Sequence, residues 1–148
     1  MKGNLLISAC LMGMPCRYDG KEKQHPRIEE LKEKYNLIPV CPEIYGGLPT
    51  PRIPSERIGD RVFMKDGTDV TENYKRGAEC ALKTSILTDT KVALLKERSP
   101  SCSKSGVYDG SFSGTLTSGM GIAAELLIKN GVTVYGESEI DELLSIDK

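Results

Sequence analysis

Apolar residues in this chain alternate between short unbroken runs and stretches in which they recur every three or four positions. Leu5-Leu6-Ile7-Ser8-Ala9, Leu37-Ile38-Pro39-Val40 and Val92-Ala93-Leu94-Leu95 are short and apolar, so each predicts a buried strand, and Val132-Thr133-Val134-Tyr135 predicts a fourth strand. Pro39 places its strand where one backbone N–H is not needed by a neighbour. Between the first two runs, Pro26 opens a helix in which Ile28, Leu31 and Tyr35 share a face while Glu30 and Lys34 pair at i, i+4 outside. From Thr71 to Leu87, Tyr74, Ala78, Ala81, Leu82 and Ser85 fall on one helical face, with Cys80 on the other. Gly121 to Asn130 predicts a helix with Gly131 as its C-cap, and Ser138 with Asp141 opens a closing helix that carries Ile140, Leu143 and Leu144. The stretch from Arg57 to Val70 stands apart: Val62 to Lys65 and Thr68 to Val70 flank Asp66-Gly67, a hairpin turn pair.

Strands alternating with helices predict an α/β fold. The expected form is a three-layer Rossmann-like parallel sheet of about four strands, with the small β-hairpin as an insertion. No repeat, linker or low-complexity segment divides the chain, and 148 residues suit a single domain spanning 1–148. Strand order does not follow from the pattern.

In an open parallel sheet, ligands bind outside the carboxyl ends of the strands, where the following loops share one rim. Cys10, Cys41 and Cys102 each lie at or just past such an end. Three thiols on one rim suit an iron–sulfur cluster or a zinc ion with an open fourth position. Cysteine also packs as a small apolar core residue, and pattern alone leaves both readings standing. Cys16 fits either a fourth ligand or an apolar filler, and its spacing from Cys10 matches no zinc-finger pair.

The stretch from Cys41 to Arg52 crowds a thiol, a carboxylate and a guanidinium into a loop stiffened by Pro42, Pro49 and Pro51. Glu43 can move a proton from a partly desolvated cleft or cap a loop, and Arg52 can meet a substrate or Glu43. The hydroxyls of Ser99, Ser101 and Ser103 surround Cys102, either to relay protons or to form the turn beside Pro100. Ser118 to Ala124 resembles an anion-cradling helix start. The long loop from Lys104 to Gly119 has the length of a functional one, and His25, the one histidine, reads as a loop or cap residue.

Twenty Lys and Arg against twenty-one Asp and Glu give a net charge of −1, which favours a small-molecule substrate over a polynucleotide. An odd five cysteines argue for a reducing compartment. With no apolar stretch long enough for a signal peptide or a membrane span, the expectation is a soluble cytoplasmic protein without a membrane partner.

Four motifs in order carry a resemblance. They are Ser8-Ala9-Cys10-Leu11-Met12-Gly13 with Arg17-Tyr18-Asp19-Gly20; Cys41-Pro42-Glu43 with Gly46-Gly47-Leu48 and Pro51-Arg52; Lys96-Glu97-Arg98-Ser99-Pro100-Ser101-Cys102; and Tyr108-Asp109-Gly110-Ser111-Phe112. From about Asn4 to Gly131 the chain resembles a bacterial family that includes the thiouracil desulfurases. The resemblance implies a [4Fe–4S] cluster held by Cys10, Cys41 and Cys102, with one iron left open to polarise the C=S bond of a thiolated pyrimidine while water attacks the ring carbon and sulfide is released. It assigns proton movement to Glu43 and assistance to a serine of the third motif, Ser101 first and Ser99 second. Cys16 stands where the family pattern has an apolar residue, which leaves a fourth ligand or redox sensitivity open. The alternative is a non-catalytic iron–sulfur or sulfur-carrier protein. A plain thiol-redox protein is disfavoured by the lack of a C-x-x-C pair. The small net charge favours a free thiolated base or nucleoside as substrate.

Overall fold

The computed structural model describes residues 2–21 and 24–146. Four parallel strands form the central sheet: β1 (Gly3–Ser8), β2 (Tyr35–Val40), β5 (Val92–Leu95) and β8 (Thr133–Gly136), in the order β2-β1-β5-β8. β1 runs in register with β2 from Gly3 opposite Tyr35 to Ser8 opposite Val40, so both strands end level.

Alternation along the strands divides the core. Leu5, Ile7 and Leu94 point to one face, where Ile28 and Leu31 of α1 (Ile28–Lys34) and Ile140 and Leu143 of α5 (Ile140–Leu144) cover them. Leu6, Ala93 and Leu95 point to the other, against Leu82 of α3 (Thr71–Leu87) and Ala124 and Leu127 of α4 (Ile122–Lys129). A strand buried on both faces must be apolar at every position, which is why these runs are unbroken. The three layers and four parallel strands expected from the pattern are present.

Several local expectations are corrected. The hairpin pairs β3 (Ser55–Ile58) with β4 (Arg61–Met64) through a turn at Gly59-Asp60. The expected turn at Asp66-Gly67 also forms, with Met64 N donating to the Thr68 carbonyl at 2.8 Å and Val70 N to that of Val62 at 2.9 Å around one bridge, Phe63 to Asp69, although the longer pairing of β4 is with β3. There Asp69 turns to the start of α3, accepting from the Thr71 N–H at 2.9 Å and its hydroxyl at 2.6 Å. Lys34 does not meet Glu30. Its ammonium bonds the Leu144 carbonyl at 2.6 Å, while Glu30 pairs with Arg27 at 2.7 Å. At the closing helix it is Glu139 that accepts from Gly136 N, at 2.9 Å, while Asp141 pairs with Arg27. The long loop contains a two-residue pairing of β6 (Val107–Tyr108) with β7 (Leu116–Thr117).

Candidate functional site

β1 lies between β2 and β5, so the chain leaves it toward opposite sides of the sheet, and a crevice opens where the strand order reverses. A cavity of about 560 Å³ occupies that crevice. Cys10 reaches it from the 3-10 turn Ala9–Met12 after β1, Cys41 from the residue after β2, and Cys102 from the loop after β5. All three rim cysteines therefore line one cavity, and Cys16 lines it too. Each is a free cysteine. Cys80, on α3, does not line it.

The thiols perturb one another. Contact with Cys10 pushes Cys16 up to about 11, against an opposing pull from Cys41. Cys41 is raised by Cys16 and then by burial, and its Sγ sits 4.0 Å from the Cys16 carbonyl. Burial pushes Cys102 up to about 12, eased by hydrogen bonds from Ser8 and Ser99. Among the described residues no group of three His, Cys, Asp or Glu side chains is arranged to hold a single metal ion.

The loop that presents Cys102 is pinned from two sides. Ser99 Oγ accepts the N–H groups of Ser101 and Cys102 at 3.1 and 3.0 Å. The carbonyls of Pro100 and Ser101 accept Ile122 N and Ala123 N, at 2.9 and 2.8 Å, from the start of α4. These contacts correct the anion-cradle expectation, because the N–H groups at that helix start are already bonded to the cysteine loop. Gly121 permits the approach: a Cβ there would fall 2.3 Å from the Ser101 carbonyl carbon. Ser99 lines the cavity, whereas Ser101 is fully buried and its Oγ has no hydrogen-bond partner among the described residues.

Glu43 is placed by the short helix α2 (Pro42–Tyr45), which Cys41 precedes as N-cap. That helix sits directly on α3. A Cβ on Gly77 would lie 1.7 Å from the Pro42 carbonyl oxygen, and one on Gly46 would lie 2.0 Å from that of Asn73. Only hydrogen at both positions allows the two backbones to touch. Arg52 closes the arrangement. Its Nε donates to Glu43 Oε2 at 3.0 Å, its Nη2 to the same oxygen and, at 3.2 Å, to the Cys16 carbonyl. The Arg52 side chain is 3% exposed and that of Glu43 15%. The guanidinium thus ties the carboxylate to the backbone of the fourth cysteine.

Sequence reading does not single out Ser8, Glu56 or Tyr74, which also line the cavity. Burial raises the Tyr74 phenol, and the nearby Glu43 charge adds to it. Tyr74 reads as a core residue of the α3 stripe, so no sequence signal separates its two roles. Ser8 carries a usable signal as the last residue of β1, where a polar group at a strand end faces the crevice; its Oγ accepts Lys96 N at 2.9 Å. His25 stays out of the cavity and accepts Arg27 N at 3.1 Å through Nδ1, a turn contact before α1.

Comparison with known proteins points the same way. A family model described as 2-thiouracil desulfurase matches residues 5–139. A Bacillus subtilis (strain 168) protein, YbbK, described as uncharacterized, is 36% identical over 150 residues, covering 95% of this chain and 99% of the relative. A solved structure described as the [4Fe–4S]-dependent thiouracil desulfidase TudS is 42% identical, with a TM-score of 0.91, covering 96% of this chain and 95% of the other.

Proposed function

The chain belongs to the 2-thiouracil desulfurase family, and from that premise we propose that it removes sulfur from a thiolated pyrimidine by hydrolysis, with a [4Fe–4S] cluster held by Cys10, Cys41 and Cys102. The observation that carries this reading is that three strand-end cysteines and a half-buried, Arg52-bound Glu43 line one cavity. The donor set fits the group: soft sulfur ligands select iron–sulfur clusters, all are free thiols, and three of them leave one of four irons without a protein ligand. No helix among the described residues is long and apolar enough to cross a membrane.

When bound, such a cluster supplies a Lewis-acidic iron that draws electron density from the C=S bond and exposes the ring carbon to water. The thiocarbonyl and one water become a carbonyl and one hydrogen sulfide, with no change of oxidation state. Glu43 takes a proton from the attacking water and returns it toward the departing sulfur. Arg52 holds the carboxylate in one position for both transfers, so no reorientation is needed between them. Ser8 and Ser99 donate to the Cys102 sulfur and orient that ligand. Ser99 Oγ, which also accepts the Ser101 and Cys102 N–H groups, is fully used in this way and serves by holding the ligand loop at the cavity wall. The reading gives Ser101 the assisting hydroxyl through an accompanying water, because its Oγ is buried behind the cavity wall with no protein partner among the described residues, a state that costs about 1–3 kcal/mol. The substrate is a free thiolated base or nucleoside.

Anaerobic reconstitution with iron and sulfide tests the reading. About four irons per chain and a brown chromophore are expected in wild type, and loss of both in Cys10→Ala, Cys41→Ala and Cys102→Ala. Glu43→Gln should keep the cluster while uracil and sulfide formation from thiouracil fall at least ~100-fold. An unaffected Glu43→Gln enzyme would point to sulfur carriage instead of catalysis.

A further inference from the structure

The hairpin insertion and the Tyr108–Phe112 motif take no part in the chemistry above, yet they meet over the same cavity. Glu56, on β3, lines the cavity and is 9% exposed. No cation among the described residues pairs with it. Its Oε1 instead accepts two backbone N–H groups, Gly110 at 2.9 Å and Phe112 at 3.1 Å. A carboxylate removed from water needs such donors, so Glu56 and this loop hold each other in place.

The loop is shaped to suit. Phe112 has φ +56°, the left-handed conformation that side chains other than glycine seldom adopt. Gly110 lies so near the hairpin that a Cβ there would fall 2.2 Å from Ile58 Cγ1. Ser111, Ser113 and Thr115 are chained through their hydroxyls at 2.6 and 2.8 Å. Phe112 lines the cavity, as do Tyr18 and Tyr108.

Resting on the desulfurase reading, we propose that Phe112 is the surface on which the flat pyrimidine ring stacks, and that Glu56 is the positioning residue that fixes it there. The site then selects planar heteroaromatic thioamides over their puckered, saturated counterparts, because only a planar ring presents a π-face to the phenyl group.

The test compares 2-thiouracil with 5,6-dihydro-2-thiouracil on the cluster-loaded enzyme. Wild type is expected to favour the planar compound in kcat/KM by roughly 5- to 150-fold, the range of one aromatic–base stack. In Phe112→Ala and Phe112→Leu the KM for 2-thiouracil rises by the same factor with a smaller change in kcat, and the preference disappears; Leu keeps bulk without a planar face. Glu56→Ala behaves like them, whereas Glu56→Gln, whose amide oxygen can accept the same two N–H groups, keeps the preference. Iron per chain is unchanged throughout. Calorimetric binding of uracil to the same holoprotein weakens in the Phe112 variants, a readout independent of sulfur loss. Uracil binding or planar preference that survives in Phe112→Leu overturns the proposal, as does a Glu56→Gln enzyme that fails with Glu56→Ala. A wild type that binds uracil through Phe112 but desulfurises neither compound sinks the desulfurase reading instead.

Discussion

Gly77→Ala puts the link between packing and chemistry to the test. In the middle of an exposed helix this change is stabilising by about 1 kcal/mol. Here the added Cβ meets the Pro42 carbonyl oxygen at 1.7 Å, half the 3.4 Å at which ordinary contact begins. The obstacle is backbone at the first turn of α2, so no rotamer change relieves it, and the two helices must part by roughly 1.5 Å. Overpacking costs about 1–3 kcal/mol, with rigid obstacles at the upper end. Set against the gain in propensity, the net loss is about 2 kcal/mol, or a thermal midpoint lower by roughly 4–8 °C for a chain of this size. The displaced helix begins at Cys41 and carries Glu43, so turnover should fall about 100-fold, the expected cost of a 1 Å misplacement. Differential scanning calorimetry and thiouracil turnover read the two effects, with exposed Glu79→Ala on the same helix as control. A variant as stable and active as wild type would refute the seating of α2 on α3. One that loses stability but keeps full turnover would refute the link to Glu43.

Three further outcomes follow from the site and its surroundings. Arg52→Met leaves the half-buried Glu43 carboxylate without its partner and should lower unfolding free energy in urea by up to about 3 kcal/mol, with Arg52→Met/Glu43→Gln recovering most of the loss; an equally unstable double variant would contradict this. Cys16→Ala should retain about four irons per chain on reconstitution, and iron loss comparable to that of Cys41→Ala would make Cys16 a required ligand. The Asp69 carboxyl is held down at about 2 by the Thr71 hydroxyl, Arg61 and the Thr71 N–H. Its folded value lies below the unfolded one, so its contribution is present above about pH 4 and lost as pH falls toward 2. Asp69→Asn should therefore flatten the decline of the thermal midpoint between those values, and a decline as steep as in wild type would count against it.

Much of this molecule is legible before folding because the relevant physics is local. An unbroken apolar run announces a strand buried on both faces, and a 3.6-residue stripe announces α3, whose bounds match the expected Thr71 to Leu87. Residues at strand ends belong to the rim of a parallel sheet whatever the strand order, which is why Cys10, Cys41 and Cys102 could be grouped across long stretches of chain. Local reasoning failed where two signals competed. Asp66-Gly67 turns the chain as its composition announces, yet the longer ladder turns at Gly59-Asp60, because Glu56 and Val62 are buried by that register while Asp69 is drawn to α3 after a single bridge. The helix start at Gly121 has the form of an anion site, but its N–H groups were claimed by carbonyls some twenty residues earlier in the chain.

The sequence by itself determined the layers, the parallel strands, the rim cysteines and the presence of Glu43 beside one of them, since each depends on periodicity or on neighbours along the chain. Only the tertiary structure decided that Cys16 enters the cavity, that Arg52 binds Glu43, that Ser101 is buried behind the wall while Ser99 lines it, and that Glu56 holds the loop of Phe112. Each of these is a contact between side chains or backbones brought together by the order of the strands and the approach of two helices. A one-dimensional pattern carries no term for such encounters: burial and hydrogen bonding select among them only once the sheet has been assembled.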